Sequence, residues 1–159
     1  MIKISKMADR LYVRTPYHPQ FIEYAHNLHG CWEAKQKVWC FSSRDEERIR
    51  QICHEIFGTD GDDEPLLVTV RVDLDAIKVD GDELYLCGRQ VLRKLYRNLP
   101  PLLGEDVIVY KGSLKKHGGS RGYPKITWEP GTWLEIRNVP LTLAQKLIGT
   151  PGYIVIEEE

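Results

Sequence analysis

The sequence predicts an α+β fold in two parts: a small β-α-β-β-α module over residues 1–58, then a mostly antiparallel, β-rich unit with two helices over 66–159. Three observations carry this. RLYVRT (10–15) alternates apolar and polar residues and leads into a helical face; strand-like runs dominate after residue 66; and TDGDDEP (59–65) combines turn residues, like charges and Pro65 as an acidic linker.

In the first part Pro16 and Pro19 interrupt the strand, and Phe21, Ile22, Ala25 and Leu28 fall on one helical face with Gly30 as its stop. Cys31-Trp32 and Val38-Trp39-Cys40-Phe41, separated by the polar EAKQK, read as two short strands joined by a turn. Ser43-Arg-Asp-Glu46 has the S-x-x-E form of a capping box, opening a helix in which Ile49, Ile52, Cys53 and Ile56 share a face and Gly58 ends the run.

In the second part LLVTVRVDL is a strong strand, followed by an Asp-Gly hairpin signal in VDGDE and a short strand in ELYLCG. GRQVLRKLYRN (88–98) fits a helix with Val91, Leu92, Leu95 and Leu99 inward, ended by Pro100-Pro101. DVIVYKG reads as a strand, LKKHGGSRGYP as a long loop, and KITWEPGTWLEIRNV as a hairpin with Glu129-Pro130-Gly131-Thr132 at its tip. A short helix LTLAQKLIG and a last strand YIVIEEE complete the chain.

Composition excludes some classes. The 159 residues are 42% apolar and include Trp32, Trp39, Trp128 and Trp133, enough to offset the entropy of ordering. No run approaches the roughly 20 apolar residues of a membrane helix, and MIKISKMADR lacks the apolar core of a secretory signal. Cys31, Cys40, Cys53 and Cys87 contain no C-x-x-C pair and read as small buried hydrophobes. The expectation is a soluble cytoplasmic protein with reduced thiols and no membrane partner.

A balance of 22 Lys+Arg against 23 Asp+Glu hides strong polarity. From Glu55 to Glu83 ten acids meet only Arg71 and Lys78, a net of about −8. From Leu84 to Trp128 nine bases meet only Glu105 and Asp106, a net of about +7. Within the latter, Lys111 to Lys125 (KGSLKKHGGSRGYPK) has five cations, no acid, flexible glycines and Tyr123. Cations displace counterions from a polyanion, glycines allow close approach, and an aromatic ring stacks on a base; the bland counterpart is a solvated loop. On the expected helix, Arg89, Arg93 and Arg97 recur at i, i+4 and i+8 beside Lys94, a stripe able to line phosphates or to neutralise Asp80, Asp82 and Glu83.

No catalytic constellation emerges. G-x-S-x-G, Walker and dinucleotide motifs are absent, and His18, His26, His29, His54 and His117 form no H-E-x-x-H. Asp73 and Asp75, with the following acids, are the sole candidates for a magnesium nuclease, and Cys31 and Cys40 with His26, His29 or His54 for a zinc site. Neither has the usual ligand spacing, so no cofactor or metal is expected.

The skeleton of residues 17–41 is Tyr17-His18-Pro19, a helix with Phe21 and Ala25, Gly30, Trp32, a charged turn, Lys37 and then Val38-Trp39-x-Phe41. It resembles the HARP domain of SNF2-type annealing helicases, and looks like small Trp-rich modules of plasmid and phage primase-associated proteins, over residues 10–57. The resemblance implies recognition of single-stranded or branched DNA in replication, repair or mobile-element maintenance, without a helicase motor.

These readings combine into an expectation: a non-enzymatic nucleic-acid-binding accessory protein of a mobile element. Trp32, Lys35, Lys37, Arg89, Arg93, Arg97, Lys115, Lys116, Arg121, Tyr123 and Lys125 are its candidate contacts. Trp32 and Trp39 each fit either a stacking surface or a small core. The alternative is an inhibitor of a host defence nuclease such as a CRISPR effector, in which Asp60, Asp62, Asp63, Glu64, Asp80, Asp82 and Glu83 imitate phosphates for a basic protein complex.

Overall fold

A computed structural model describes residues 1–156, and the final acids of YIVIEEE lie outside them. The described residues form an α+β fold with strands in three antiparallel sheets and three α-helices. The chain divides into two compact units, Met1–Pro65 and Leu66–Glu159. No helix among the described residues is long and apolar enough to cross a membrane.

The first unit begins with a strand that alternation in 10–15 does not announce, β1 (Lys3–Met7), so its order is β-β-α-β-β-α. β2 (Arg10–Arg14) pairs with β1 on one side and with β4 (Val38–Ser42) on the other, and β3 (Cys31–Glu33) completes the order β1-β2-β4-β3. Helices α1 (Pro19–Asn27) and α2 (Glu46–Phe57) cover one face. There Leu11, Val13, Trp39 and Phe41 meet Phe21, Ala25, Ile49, Ile52 and Ile56 in one core.

Two helix signals act differently from their expected roles. His29, with φ 57°, takes the left-handed position after α1, while Gly30 is required because a Cβ there would strike the Phe41 ring and the Ala25 carbonyl. The capping-box segment Ser43–Asp45 forms a 3₁₀ turn before α2, with no side-chain cap bond at either Ser42 or Asp45. Gly58, at φ 77°, does end α2 in the left-handed conformation.

TDGDDEP, expected as a linker, folds back onto α2. Asp60 is buried and accepts from Arg50 at 3.2 Å and from His54 at 3.3 Å when that ring is protonated, while Arg50 also meets Asp62 at 2.7 Å. Burial acts to raise the Asp60 pKa, but the Asp62 amide, the Arg50 guanidinium and the field of His54 offset it and hold the carboxyl below its ordinary value. Because the folded pKa lies below the unfolded one of about 3.9, this stabilisation is present above that pH and is lost as pH falls through the lower folded value. Asp60→Asn is expected to cost roughly 1–3 kcal/mol at neutral pH and to flatten the acid limb of the stability profile. Urea melts between pH 2 and 7 check this, and an unchanged acid limb would refute it.

In the second unit β5 (Leu67–Asp73) is a central strand of the sheet β11-β5-β10-β9, with β9 (Val107–Lys111), β10 (Trp133–Pro140) and β11 (Tyr153–Ile156). Val68, Val70 and Val72 face Leu134, Ile136 and Val139 in the core, which the short α3 (Leu141–Gln145) helps to close through Leu143 and Ala144. On the other face Glu135 is held between Arg71 at 3.1 Å and Arg137 at 2.9 Å, and Arg71 lies 3.9 Å over the Tyr110 ring.

The expected helix over 88–98 is absent. Residues 83–93 form a hairpin of β6 (Glu83–Leu86) and β7 (Arg89–Arg93), and β8 (Leu102–Leu103) pairs with β7. Cys87 at φ 54° and Gly88 at φ 73° provide the two left-handed positions of a tight hairpin turn. An isolated eleven-residue helix is marginal, and pairing to neighbouring strands wins over its periodicity. Val91 and Leu92 are buried as expected, but Leu95 and Leu99 are exposed.

Two expected hairpins are also repaired differently. β5 pairs with β10 and β11 rather than with β6. β10 pairs with β5 and β9, while the segment before it reaches only one isolated bridge, Leu114 with Trp128.

Candidate functional site

The first unit carries an aromatic cleft of about 430 Å³, a size typical of small-ligand sites. Its walls include Tyr17 and His18 from the segment entering α1, Phe21 and His26 from α1, and Trp32 and Trp39 from the β3–β4 hairpin. Trp32 and Trp39 are directly opposed across the antiparallel pair, with ring centroids 5.6 Å apart. His26 meets the Trp39 ring edge-on at 5.5 Å.

The two tryptophans serve different ends. Trp39 is 8% exposed and packs on Phe41 within the core, whereas Trp32 is 53% exposed. Core packing explains Trp39; Trp32 stands on the edge strand β3, where about half of its surface stays open to solvent. The His18 side chain caps α1 through Nδ1, accepting from the Gln20 amide at 3.2 Å, and burial lowers its pKa, so the ring is neutral near pH 7.

A groove of about 460 Å³ shares Thr15 and Trp32 with this cleft and is lined by Arg14, Lys35 and Lys37. Lys35 and Lys37 stand exposed in the β3–β4 turn, where Lys37 adopts φ 55°. Arg14 donates to the Gln36 carbonyl at 3.0 Å and ties the turn to β2. The structure thus joins the sequence candidates Trp32, Lys35 and Lys37, and adds Arg14, Tyr17 and His26. Arg14 lies in the alternating strand RLYVRT, but which residues face the cleft depends on the tertiary fold.

In the second unit, the basic residues part company. Arg89 is diverted inward: its guanidinium donates to the carbonyls of Arg137 at 2.9 Å and Asn138 at 2.8 Å, where the β10 register shifts. Lys94 is 1% exposed and donates to the carbonyls of Leu99 at 2.7 Å and Lys116 at 2.8 Å. Without the expected helix, Arg89, Arg93 and Arg97 form no i, i+4, i+8 stripe; Arg93 ends β7 and Arg97 lies in the following turn.

Lys94 pins the loop 111–125 to the turn after β7, and the Gly118 amide adds a bond to the Arg97 carbonyl at 2.9 Å. Reciprocal bonds between Ser120 and Tyr123, of 3.0 and 3.2 Å, close the loop's tip. Lys115, Lys116, Arg121 and Lys125 are exposed on it, and Tyr123 is 84% exposed. Sequence reasoning passed over exposed Tyr96, which follows Lys94 in the turn that this lysine holds.

The acidic candidates are split between the units. Asp60 and Asp62 are occupied by Arg50, and Asp63 accepts from the Thr59 hydroxyl and the Asp60 amide. Glu64 is exposed. In the second unit Asp80 meets Lys78 at 3.2 Å, the Asp82 carbonyl accepts from the Lys94 amide, and Glu83 accepts from Gln90. Asp75 accepts from the Gly131 amide and the Trp128 indole, both at 2.7 Å, which lowers its pKa. Asp73 accepts from the Asp75 amide, so both carboxylates brace a loop.

Among the described residues His54, Asp60 and Asp63 bring potential metal-ligand atoms within 4.8 Å of one another, but Arg50 already occupies Asp60 and places a positive charge at the cluster. Cys31, expected as a buried hydrophobe, is exposed at the edge strand, and Cys40 is half-buried beside it.

No protein-family model, curated protein or solved structure matches this chain.

Proposed function

We propose that this protein binds single-stranded or branched DNA through the aromatic cleft and basic groove of its first unit, as a non-enzymatic accessory factor. One observation carries the reading: the half-exposed Trp32 belongs to both concavities, so a base stacked on its ring would place its phosphate beside Arg14, Lys35 and Lys37. A paired base in a duplex presents only its edges, which is why an unpaired base suits an aromatic wall. The likeness of residues 10–57 to HARP and Trp-rich mobile-element modules supports the same class of ligand. Lys115, Lys116, Arg121 and Lys125, with Tyr123, offer a separate set of phosphate and stacking contacts.

The test is a titration with labelled single-stranded, duplex and forked oligonucleotides at two salt concentrations. Single-stranded and forked DNA are expected to bind more tightly than duplex. In the double variant Lys35→Glu, Lys37→Glu, affinity for single strands is expected to fall at least about tenfold, and the log–log salt slope to flatten by about 1.4, the contribution of two phosphate contacts. A variant binding like the parent chain would remove the groove from the interface. Absence of binding at low salt would overturn the function.

A further inference from the structure

Cys31 and Cys40 are directly opposed residues of the antiparallel β3–β4 pair. Opposed residues on antiparallel strands point to the same face, with Cα atoms about 4.5–5.5 Å apart, inside the range of about 4.4–6.8 Å that disulfides span. Their neighbours Trp32 and Trp39 occupy the opposite face, so a bond between the cysteines leaves the aromatic pair in place. Cys31 is exposed and Cys40 half-buried. We propose that Cys31 and Cys40 are a reversible dithiol–disulfide site, oxidised by a small-molecule disulfide such as oxidised glutathione.

The chemistry follows from exposure. The Cys31 thiolate attacks one glutathione sulfur, forming a mixed disulfide and releasing the first glutathione as thiolate. The Cys40 thiolate then attacks Cys31 Sγ, breaking that bond and releasing the second glutathione. Two protein thiols are oxidised, one glutathione disulfide is reduced to two thiols, and the two protons pass to the leaving thiolates. Cys53 and Cys87 stand apart from this reaction. Burial pushes their thiols up to about 12 and about 11, which leaves them protonated at neutral pH. The bond would close the same hairpin that presents Trp32, Lys35 and Lys37, but its formation does not depend on DNA binding.

The full native chain is equilibrated with reduced and oxidised glutathione at neutral pH, alkylated, and digested with trypsin. Cleavage after Lys35 and Lys37 separates the two cysteines, so the expected product is the peptide 15–35 disulfide-linked to the peptide 38–44, with Cys53 and Cys87 alkylated. Cys40→Ser is expected to stop at a stable Cys31–glutathione adduct. Recovery of Cys31 and Cys40 as free thiols, as separate glutathione adducts, or in bonds between chains would overturn the proposal. The loss of DNA binding alone would leave this result unchanged.

Discussion

Replacing the buried Lys94 with alanine is expected to destabilise the second unit by about 3–5 kcal/mol. The Lys94 ammonium is almost completely enclosed, and its Nζ donates to the Leu99 and Lys116 carbonyls at 2.7 and 2.8 Å. Removing it leaves both carbonyls without that donor and vacates the space of a four-carbon stem. Desolvation lowers the lysine pKa. The pH dependence then has a definite sign: the folded pKa lies below the unfolded one of about 10.4, so the contribution of Lys94 is greatest above that value and declines as pH falls through the folded pKa. The bonds survive deprotonation, because a neutral amine retains two N–H groups for two carbonyls. Chemical denaturation of Lys94→Ala, compared with Lys116→Ala, checks the expectation. A loss under about 1 kcal/mol in the former would show that the loop is held by other means.

Trp32→Ala is expected to weaken binding of single-stranded DNA by about 5- to 150-fold, since a base–aromatic stack contributes about 1–3 kcal/mol. The effect rests on the contrast between the two tryptophans of the cleft. Trp39 belongs to the core, and its removal would act on folding; Trp32 exposes about half of its surface on an edge strand. Trp32→Phe keeps a flat ring and is expected to recover most of the affinity. Fluorescence anisotropy of a labelled oligonucleotide reads this without relying on protein emission, and circular dichroism confirms the fold. Equal affinities for Trp32→Ala and the parent chain would exclude Trp32 from the interface, whatever the basic groove does.

Part of the candidate site was readable before the fold was known. Trp32, Lys35 and Lys37 lie within six residues, and the polar EAKQK between two short apolar strands keeps them together. Arg14, Tyr17 and His26 come from β2, the following segment and α1, and meet the hairpin only because the strands are ordered β1-β2-β4-β3. The basic residues of the second unit were legible as charge but not as geometry. Of Arg89, Lys94 and Lys116, one caps the carbonyls of a shifted strand, one is enclosed, and one is exposed, a division that depends on partners distant in sequence.

The α+β class, the amphipathic helices near residues 19–27 and 46–57, and the central strand at 67–73 were determined by the sequence itself, because each has a local period that one backbone conformation can satisfy. Tertiary structure decided the cases in which local preference was outweighed by distant partners. Residues 88–98 carry a helical spacing of leucines, yet strand pairing and the Cys87-Gly88 turn bury Val91 and Leu92 and leave Leu95 and Leu99 outside. Asp60 became a buried ion-pair partner rather than part of a solvated linker because Arg50 and His54 lie one helical turn apart on α2. Facing cysteines, a stapled basic loop and a cleft bounded by Trp32 all arise from contacts between separate segments, whose free energy exceeds the small differences that local periodicity can encode.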